Sequence, residues 1–252
     1  MPWTRAALSR ALEAAGVRPR RALGQNFLLD PNFIRAIVED SGVGPADEAV
    51  EIGAGPGGLT EALADRARRV WAFEIDPALR AVAASFLRDR PNVELLGGDG
   101  AEFARHVRPD ARGSVRVVSN LPYSGWKRLV LALLSAPLPV ASYTLMVQRD
   151  VYERLRAGPG TRDYGPMAAL VQATCAIRFL RRAGRGLFWP APRVESAVLE
   201  LRRPEPVDGF GLESRLRRLF AGRRKRSALA GGRRIEELPP RELLDLAEDR
   251  PG

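Results

Sequence analysis

The alternation of short apolar runs with helical patterns constrains this chain more than any other feature of its sequence. Residues 49–52, 70–73, 93–96, 115–118 and 143–147 each read as a buried strand, and the segments between them space their apolar residues as helices do. Such an order predicts an α/β fold, a mainly parallel sheet with helices on both faces. Two later runs, 176–180 and 197–201, have no convincing helix between them, so they are expected to form an antiparallel pair at one edge and bring the sheet to seven strands. Beyond Pro204-Glu205-Pro206 the pattern turns helical and basic over 212–221 and 241–248. The expected division is therefore a catalytic domain over 1–203 and a small helical domain over 204–252. At the other end, Thr4 before 5–12, with Gly16 after it, predicts a short capped helix.

Charge narrows the partners. The 252 residues carry 40 Lys plus Arg against 30 Asp plus Glu, a net +10, and nearly all the cations are arginine. The planar guanidinium fork suits phosphate, so a polyanion is the expected partner. Cys175 and His106 are the only residues of their types, which leaves no Cys/His metal set and no disulfide; no metal is expected. No apolar run reaches the roughly 18 residues of a membrane span, and the chain is expected to be a cytoplasmic monomer with no membrane partner.

The first strand runs into Gly53-Ala54-Gly55-Pro56-Gly57-Gly58. A turn of this kind brings backbone close to a ligand at a helix N-terminus. Glu74, at the end of the second strand, is placed to accept from both hydroxyls of a ribose, and Asp99, after the third, to accept from an adenine amine. A nucleoside is implied. A dinucleotide would use Gly53 and Glu74 as well, but the carboxylate of Glu51 suits a ligand with an ammonium and a sulfonium, as S-adenosylmethionine has.

The fourth strand ends in Asn120-Leu121-Pro122-Tyr123, at the carboxyl edge of the sheet where open α/β folds bind ligands. The side-chain carbonyl of Asn120 and the backbone carbonyl of Leu121 can both accept from an exocyclic amine. The amine of adenine is a poor nucleophile because its lone pair is spread into the ring. Two acceptors draw it toward tetrahedral geometry and align it, so positioning and electrostatics can carry the reaction without a histidine base. Pro122 stiffens the turn, and Tyr123 can stack on a base taken out of its helix.

With Leu23-Gly24-Gln25-Asn26-Phe27-Leu28, Asp163-Tyr164-Gly165 and Phe188-Trp189-Pro190-Ala191-Pro192-Arg193-Val194-Glu195-Ser196, these motifs resemble the ribosomal RNA adenine dimethyltransferases, most nearly the bacterial small-subunit type. The resemblance implies a class I, Rossmann-like S-adenosylmethionine-dependent methyltransferase that dimethylates the 6-amino groups of two adjacent adenines in RNA of the small ribosomal subunit precursor, during ribosome biogenesis. It implies cofactor contacts at Asn26, Leu28, Gly53, Gly55, Glu74, Asp99 and Asn120. Asn26 and Leu28 would close over the cofactor from an N-terminal loop. Catalytic roles fall on Asn120, Leu121, Tyr123 and Phe188, with Phe188 facing Tyr123 across the adenine. Arg223, Arg224, Lys225 and Arg226 match the family's basic, RNA-binding segment.

Two departures stand out. Ser124-Gly125-Trp126-Lys127 follows the tetrapeptide where the family usually has Asn-Ile-Ser, and the basic segment runs into Gly231-Gly232 instead of a longer helical unit. A large-subunit methyltransferase of the macrolide-resistance type shares the catalytic motifs. The segment 157–165 together with the Arg-Arg-Lys run favours the small subunit. A non-catalytic ribosome-assembly factor on the same fold is the alternative from another class.

Overall fold

The structure is a computed structural model and describes residues 4–19, 25–110, 113–203 and 205–249. In chain order its elements are α1 (Arg5–Ala14), β1 (Phe27–Leu28), α2 (Pro31–Ser41), β2 (Glu48–Ile52), α3 (Gly58–Ala64), β3 (Arg69–Glu74), α4 (Pro77–Leu87), β4 (Val93–Gly97), β5 (Val115–Asn120), α5 (Trp126–Ser135), β6 (Val140–Gln148), α6 (Arg149–Leu155), α7 (Pro166–Thr174), β7 (Ala176–Ala183), β8 (Phe188–Trp189), β9 (Ser196–Arg202), α8 (Gly209–Phe220) and α9 (Pro240–Glu248). Leu23, Gly24 and Pro204 lie outside the described residues.

Among the described residues the main sheet has seven strands in the order β4-β3-β2-β5-β6-β9-β7. Its first five strands run parallel, and β9 pairs antiparallel with both β6 and β7, as the missing helix between the last two runs predicts. From β2 the chain winds outward through β3 to β4, then returns to place β5 on the other side of β2. The strand order reverses there, and in open sheets that reversal leaves a crevice at the carboxyl ends.

Period-2 alternation sorts the strand residues between two apolar layers. Val50, Ile52, Trp71, Phe73, Val117, Tyr143 and Leu145 face a core completed by α5, α7, α8 and α9, whereas Ala49, Val70, Ala72, Val118 and Met146 face α2 and α3. Leu212, Leu216, Leu219, Leu243 and Leu244 belong to the first of these layers, so the C-terminal helices share a core with the sheet. Tyr164 fastens them. Its ring meets Phe220 edge-on at 5.7 Å, and its buried hydroxyl donates to the Leu238 carbonyl at 3.0 Å.

Local sequence sets the helix starts. Thr4, Asp30 and Asp76 each cap a helix by accepting a backbone N–H, and Pro follows at the first helical position of α2 and α4. One element has no counterpart in the sequence reading: β1 and β8 pair as a separate two-stranded ribbon, Phe27 opposite Trp189 and Leu28 opposite Phe188. Among the described residues no helix is long and apolar enough to cross a membrane.

Candidate active site

At the reversal between β2 and β5 lies a cleft of about 320 Å3, and Asn26, Gly53, Gly55, Glu74, Asp99, Asn120 and Leu121 all line it. The glycine turn reaches it through left-handed backbone at Gly53, Gly55 and Gly57, with φ of +79°, +56° and +100°. At Gly55 space is short as well as the backbone unusual, because a Cβ there would lie 3.3 Å from the Phe27 ring. Gly53 N–H and Ala54 N–H both donate to the Phe73 carbonyl, at 2.8 and 2.9 Å, which ties the turn to the end of β3.

Glu74 is the hinge of this arrangement. The N–H of Gly55 donates to its Oε2 at 2.7 Å and the N–H of Asp76 to its Oε1 at 2.8 Å, so its carboxylate is held at both oxygens. A carboxylate has about four acceptor positions, so these N–H groups leave acceptor capacity that can face a ligand. Burial pushes the Glu74 carboxyl above its ordinary pKa, while the N–H groups of Asp76 and Gly55 pull the other way.

Asp99 is engaged differently. Burial would raise its pKa, but the guanidinium of Arg128 and the N–H of Ala101, 2.9 Å away, outweigh it and hold the carboxyl below its usual range. Asp99 therefore enters the site as part of an ion pair, with acceptor capacity left over for an amine.

Asn120 is oriented from across the cleft, where its Nδ2 donates to the backbone carbonyl of Asn26 at 3.2 Å. With the amide nitrogen used in this way, Oδ1 is left as the acceptor. Leu121 N–H donates to the Met146 carbonyl at 3.0 Å, which fixes the backbone that carries the second acceptor.

Several expected residues lie outside the cleft. Leu28 is buried in the β1–β8 ribbon against α2 and α3. Phe188, its partner in the ribbon, is only 4% exposed and packs in the same apolar layer. Tyr123 donates to or accepts from Ser196 Oγ at 2.9 Å, and its side of the tetrapeptide, facing Trp126, Val147, Gln148 and Val151, is too tight to admit a water. Burial raises the Tyr123 phenol, with Ser196 opposing it, so the phenol stays protonated at neutral pH and is no base.

Glu51 requires a correction. The carboxylate expected to meet an ammonium is 1% exposed and does not line the cleft. It shares the face of β2 that Ala49 presents to α3, and Thr60 Oγ1 donates to it at 2.5 Å. Burial pushes its pKa up to about 8 against the opposing Thr60 hydrogen bond, with the neighbouring Glu74 charge adding to the rise. At neutral pH it is largely a carboxylic acid.

The basic segment divides in the same way. Arg223 spends its guanidinium on the protein, donating to the carbonyls of Tyr164 at 3.0 Å and Arg162 at 3.2 Å and pairing with Glu236 at 3.2 Å. Arg226 donates to the Gly232 carbonyl at 3.1 Å but stays exposed, as do Arg224 and Lys225.

Sequence reasoning overlooked Gln25, Ile75, Asp76 and Arg128, all of which line the cleft. Ile75 is 68% exposed, an apolar residue standing in solvent at the rim. Its place directly after the strand-end carboxylate Glu74 was the available signal, since strand ends along that edge line the cleft. Arg128 gave no such signal, because its partner Asp99 is remote in sequence. Among the described residues no group of His, Cys, Asp and Glu side chains is arranged to hold a metal.

The sheet order and the glycine cleft define a class I methyltransferase. Solved structures agree. A dimethyladenosine transferase from Plasmodium falciparum matches with a TM-score of 0.73 at 22% identity, covering 87% of this chain and 95% of its own. The 23S rRNA methyltransferase ErmE matches with a TM-score of 0.64 at 30% identity over 88% of this chain and 98% of its own. The model of the family described as ribosomal RNA adenine dimethylase matches residues 16–228, and the chain belongs to that family. Among its relatives, the ribosomal RNA small subunit methyltransferase A of Geobacillus kaustophilus is 38% identical over 94% of this chain and 86% of its own length. The protein of the same name from Deinococcus radiodurans is 40% identical over 80% and 69%.

Proposed function

We propose that this enzyme transfers methyl groups to the 6-amino groups of two adjacent adenines in small-subunit ribosomal RNA, as a cytoplasmic step of ribosome biogenesis. The observation that carries the reading is the Asn120 amide, turned by its bond to the Asn26 carbonyl so that an acceptor remains in the same cleft as Glu74 and the glycine turn. S-adenosylmethionine fits this donor set and would supply an electrophilic methyl group. Glu74 would hold its ribose, Gly53 and Gly55 would admit its backbone-contacting atoms, Ile75 would cover its adenine and Asp99 would accept from the adenine amine.

The chain's own part is positional. Asn120 Oδ1 and the Leu121 carbonyl accept from the target amine and concentrate its lone pair, and the amine's proton leaves to solvent once the methyl is bound. Tyr123 and Phe188 would clasp the extruded base, with Leu28 beneath Phe188 in the ribbon. Residues 204–252 would hold the RNA backbone through Arg224, Lys225 and Arg226, with Arg223 shaping the segment that carries them. They are proposed as a functional part of the molecule alongside the catalytic residues 1–203, although the core is shared.

The small subunit is favoured by relatives at 38% and 40% identity that bear a small-subunit name, against 30% for the 23S enzyme. The test is mass spectrometry of RNA fragments from purified small and large subunits after incubation with enzyme and S-adenosylmethionine. Dimethylated adenines confined to the small subunit are expected. Methylation of large-subunit RNA alone, or of neither, would contradict the reading.

A further inference from the structure

A second groove of about 220 Å3 opens between α6 and the edge strand β7. Ser196, which bonds Tyr123, also lines this groove, so the groove adjoins the proposed base site. Its floor is aromatic. Phe179 is 43% exposed and lies 5.2 Å from Tyr152, ring centre to ring centre. Its walls are cationic, with Arg149, Arg156 and Arg182 against the single carboxylate of Glu153. Arg156 stands 5.7 Å over the Tyr152 ring and pairs with Glu153 at 3.6 Å, and Arg149 pairs with Glu195 at 3.4 Å. Exposed pairs of this kind contribute little and exchange readily for phosphate.

An aromatic face in a positively charged channel is how proteins hold single-stranded nucleic acid without reading its sequence. An ordinary edge-sealing phenylalanine would pack inward. Phe179 instead leaves nearly half its surface in a channel whose charge is complementary to phosphate. We propose that this groove is a subsite for the single-stranded RNA flanking the target adenine, with one base stacked on Phe179 and its phosphates against Arg149, Arg156 and Arg182. The strand on either side of an adenine held at Tyr123 has to run across the adjoining surface, and this groove lies in its way.

This inference rests on the reading of the protein as an RNA methyltransferase, and its test separates the two. The full chain is titrated with a fluorescein-labelled single strand of ten adenosines, and calorimetry with S-adenosylmethionine checks that each variant is folded. Phe179→Ala is expected to weaken binding of the single strand by about 5-fold or more, and Phe179→Trp to restore it. Arg149, Arg156 and Arg182 changed together to Gln should flatten the log-log salt dependence by about 0.7 for each phosphate no longer neutralised. Cofactor affinity should not move. If both variants bind the oligonucleotide as the parent does, the groove is no RNA subsite, whatever the enzyme methylates. If the losses appear but small-subunit RNA gains no methyl groups, the groove stands and the proposed function falls.

Discussion

The two sides of the Asn120–Tyr123 tetrapeptide are built to different degrees of completion. On the Asn120 side a cleft of about 320 Å3 is open, and its polar groups are already held by backbone: Glu74 by Gly55 and Asp76, Asn120 by Asn26, Leu121 by Met146. On the Tyr123 side there is no room for a water, Tyr123 is tied to Ser196, and Phe188 is packed away. On the Asn120 side, Glu74 and Asn120 stand at strand ends of the main sheet, with Asn120 tied to Asn26. On the Tyr123 side, Phe188 belongs to a ribbon of two residues per strand and Tyr123 is held by a single contact with Ser196 at the start of β9. Cofactor affinity should therefore answer to single side chains, whereas handling of the RNA base should answer to what holds Tyr123 and Phe188 in place.

The largest effect is expected beneath the cofactor cleft and is read by pH. Burial pushes the Glu51 carboxyl of the folded protein up to about 8 from its ordinary value of 4.5. Below that ordinary value both states are protonated and the group is neutral toward stability. As pH rises toward 8 only the unfolded chain releases the proton, so the folded state loses stability through this window and the loss is constant above it. Glu51→Gln, which keeps an acceptor for Thr60, should match the parent's thermal midpoint near pH 4.5 and exceed it increasingly up to pH 8. A gap that does not grow with pH would show that Glu51 is not held neutral.

Next in size, Glu74→Ala should weaken S-adenosylmethionine binding by about 1.5 to 3 kcal/mol, the range for hydrogen bonds to a charged group, as read by calorimetry. Unchanged affinity in a folded variant would remove Glu74 from the site. Arg223→Ala should cost about 0.5 to 1.5 kcal/mol of stability by removing the bond to the part-buried Tyr164 carbonyl, with no change in the salt slope of RNA binding. Replacing Arg224, Lys225 and Arg226 together should do the reverse, flattening that slope by roughly 0.7 to 0.9 for each phosphate no longer neutralised. Equally small, Ser196→Ala should cost about 0.5 to 1.5 kcal/mol of stability by releasing Tyr123, and leave cofactor affinity as it was. A weakened cofactor would mean that the two sides are not independent.

What the sequence made legible follows the same division. The strands β2 to β6 were readable because period and length repeat, and the positions of Gly53, Glu74, Asp99 and Asn120 follow from strand ends lying along one edge. Glu51 was misread because a residue one step inside the strand end faces the opposite layer, and the shared face with Ala49 was the clue. The β1–β8 ribbon offered nothing to read, since a two-residue strand has no period. Nor did Arg223, whose partners Tyr164 and Arg162 lie 59 and 61 residues away, or Tyr123, whose partner Ser196 lies 73 away. Pairings at that distance are decided by the packed fold and leave no trace in local spacing.

The central claim is that Asn120 acts on the target amine and not merely as a turn residue. Asn120→Ala keeps the Leu121 carbonyl but removes the oriented amide and its bond to Asn26. Single-turnover methyl transfer, with RNA and S-adenosylmethionine both saturating, tests this directly. Loss of one preorganised polar partner predicts a rate about 100-fold to 1000-fold below the parent, at nearly unchanged RNA affinity. Transfer at the parent rate would contradict the account.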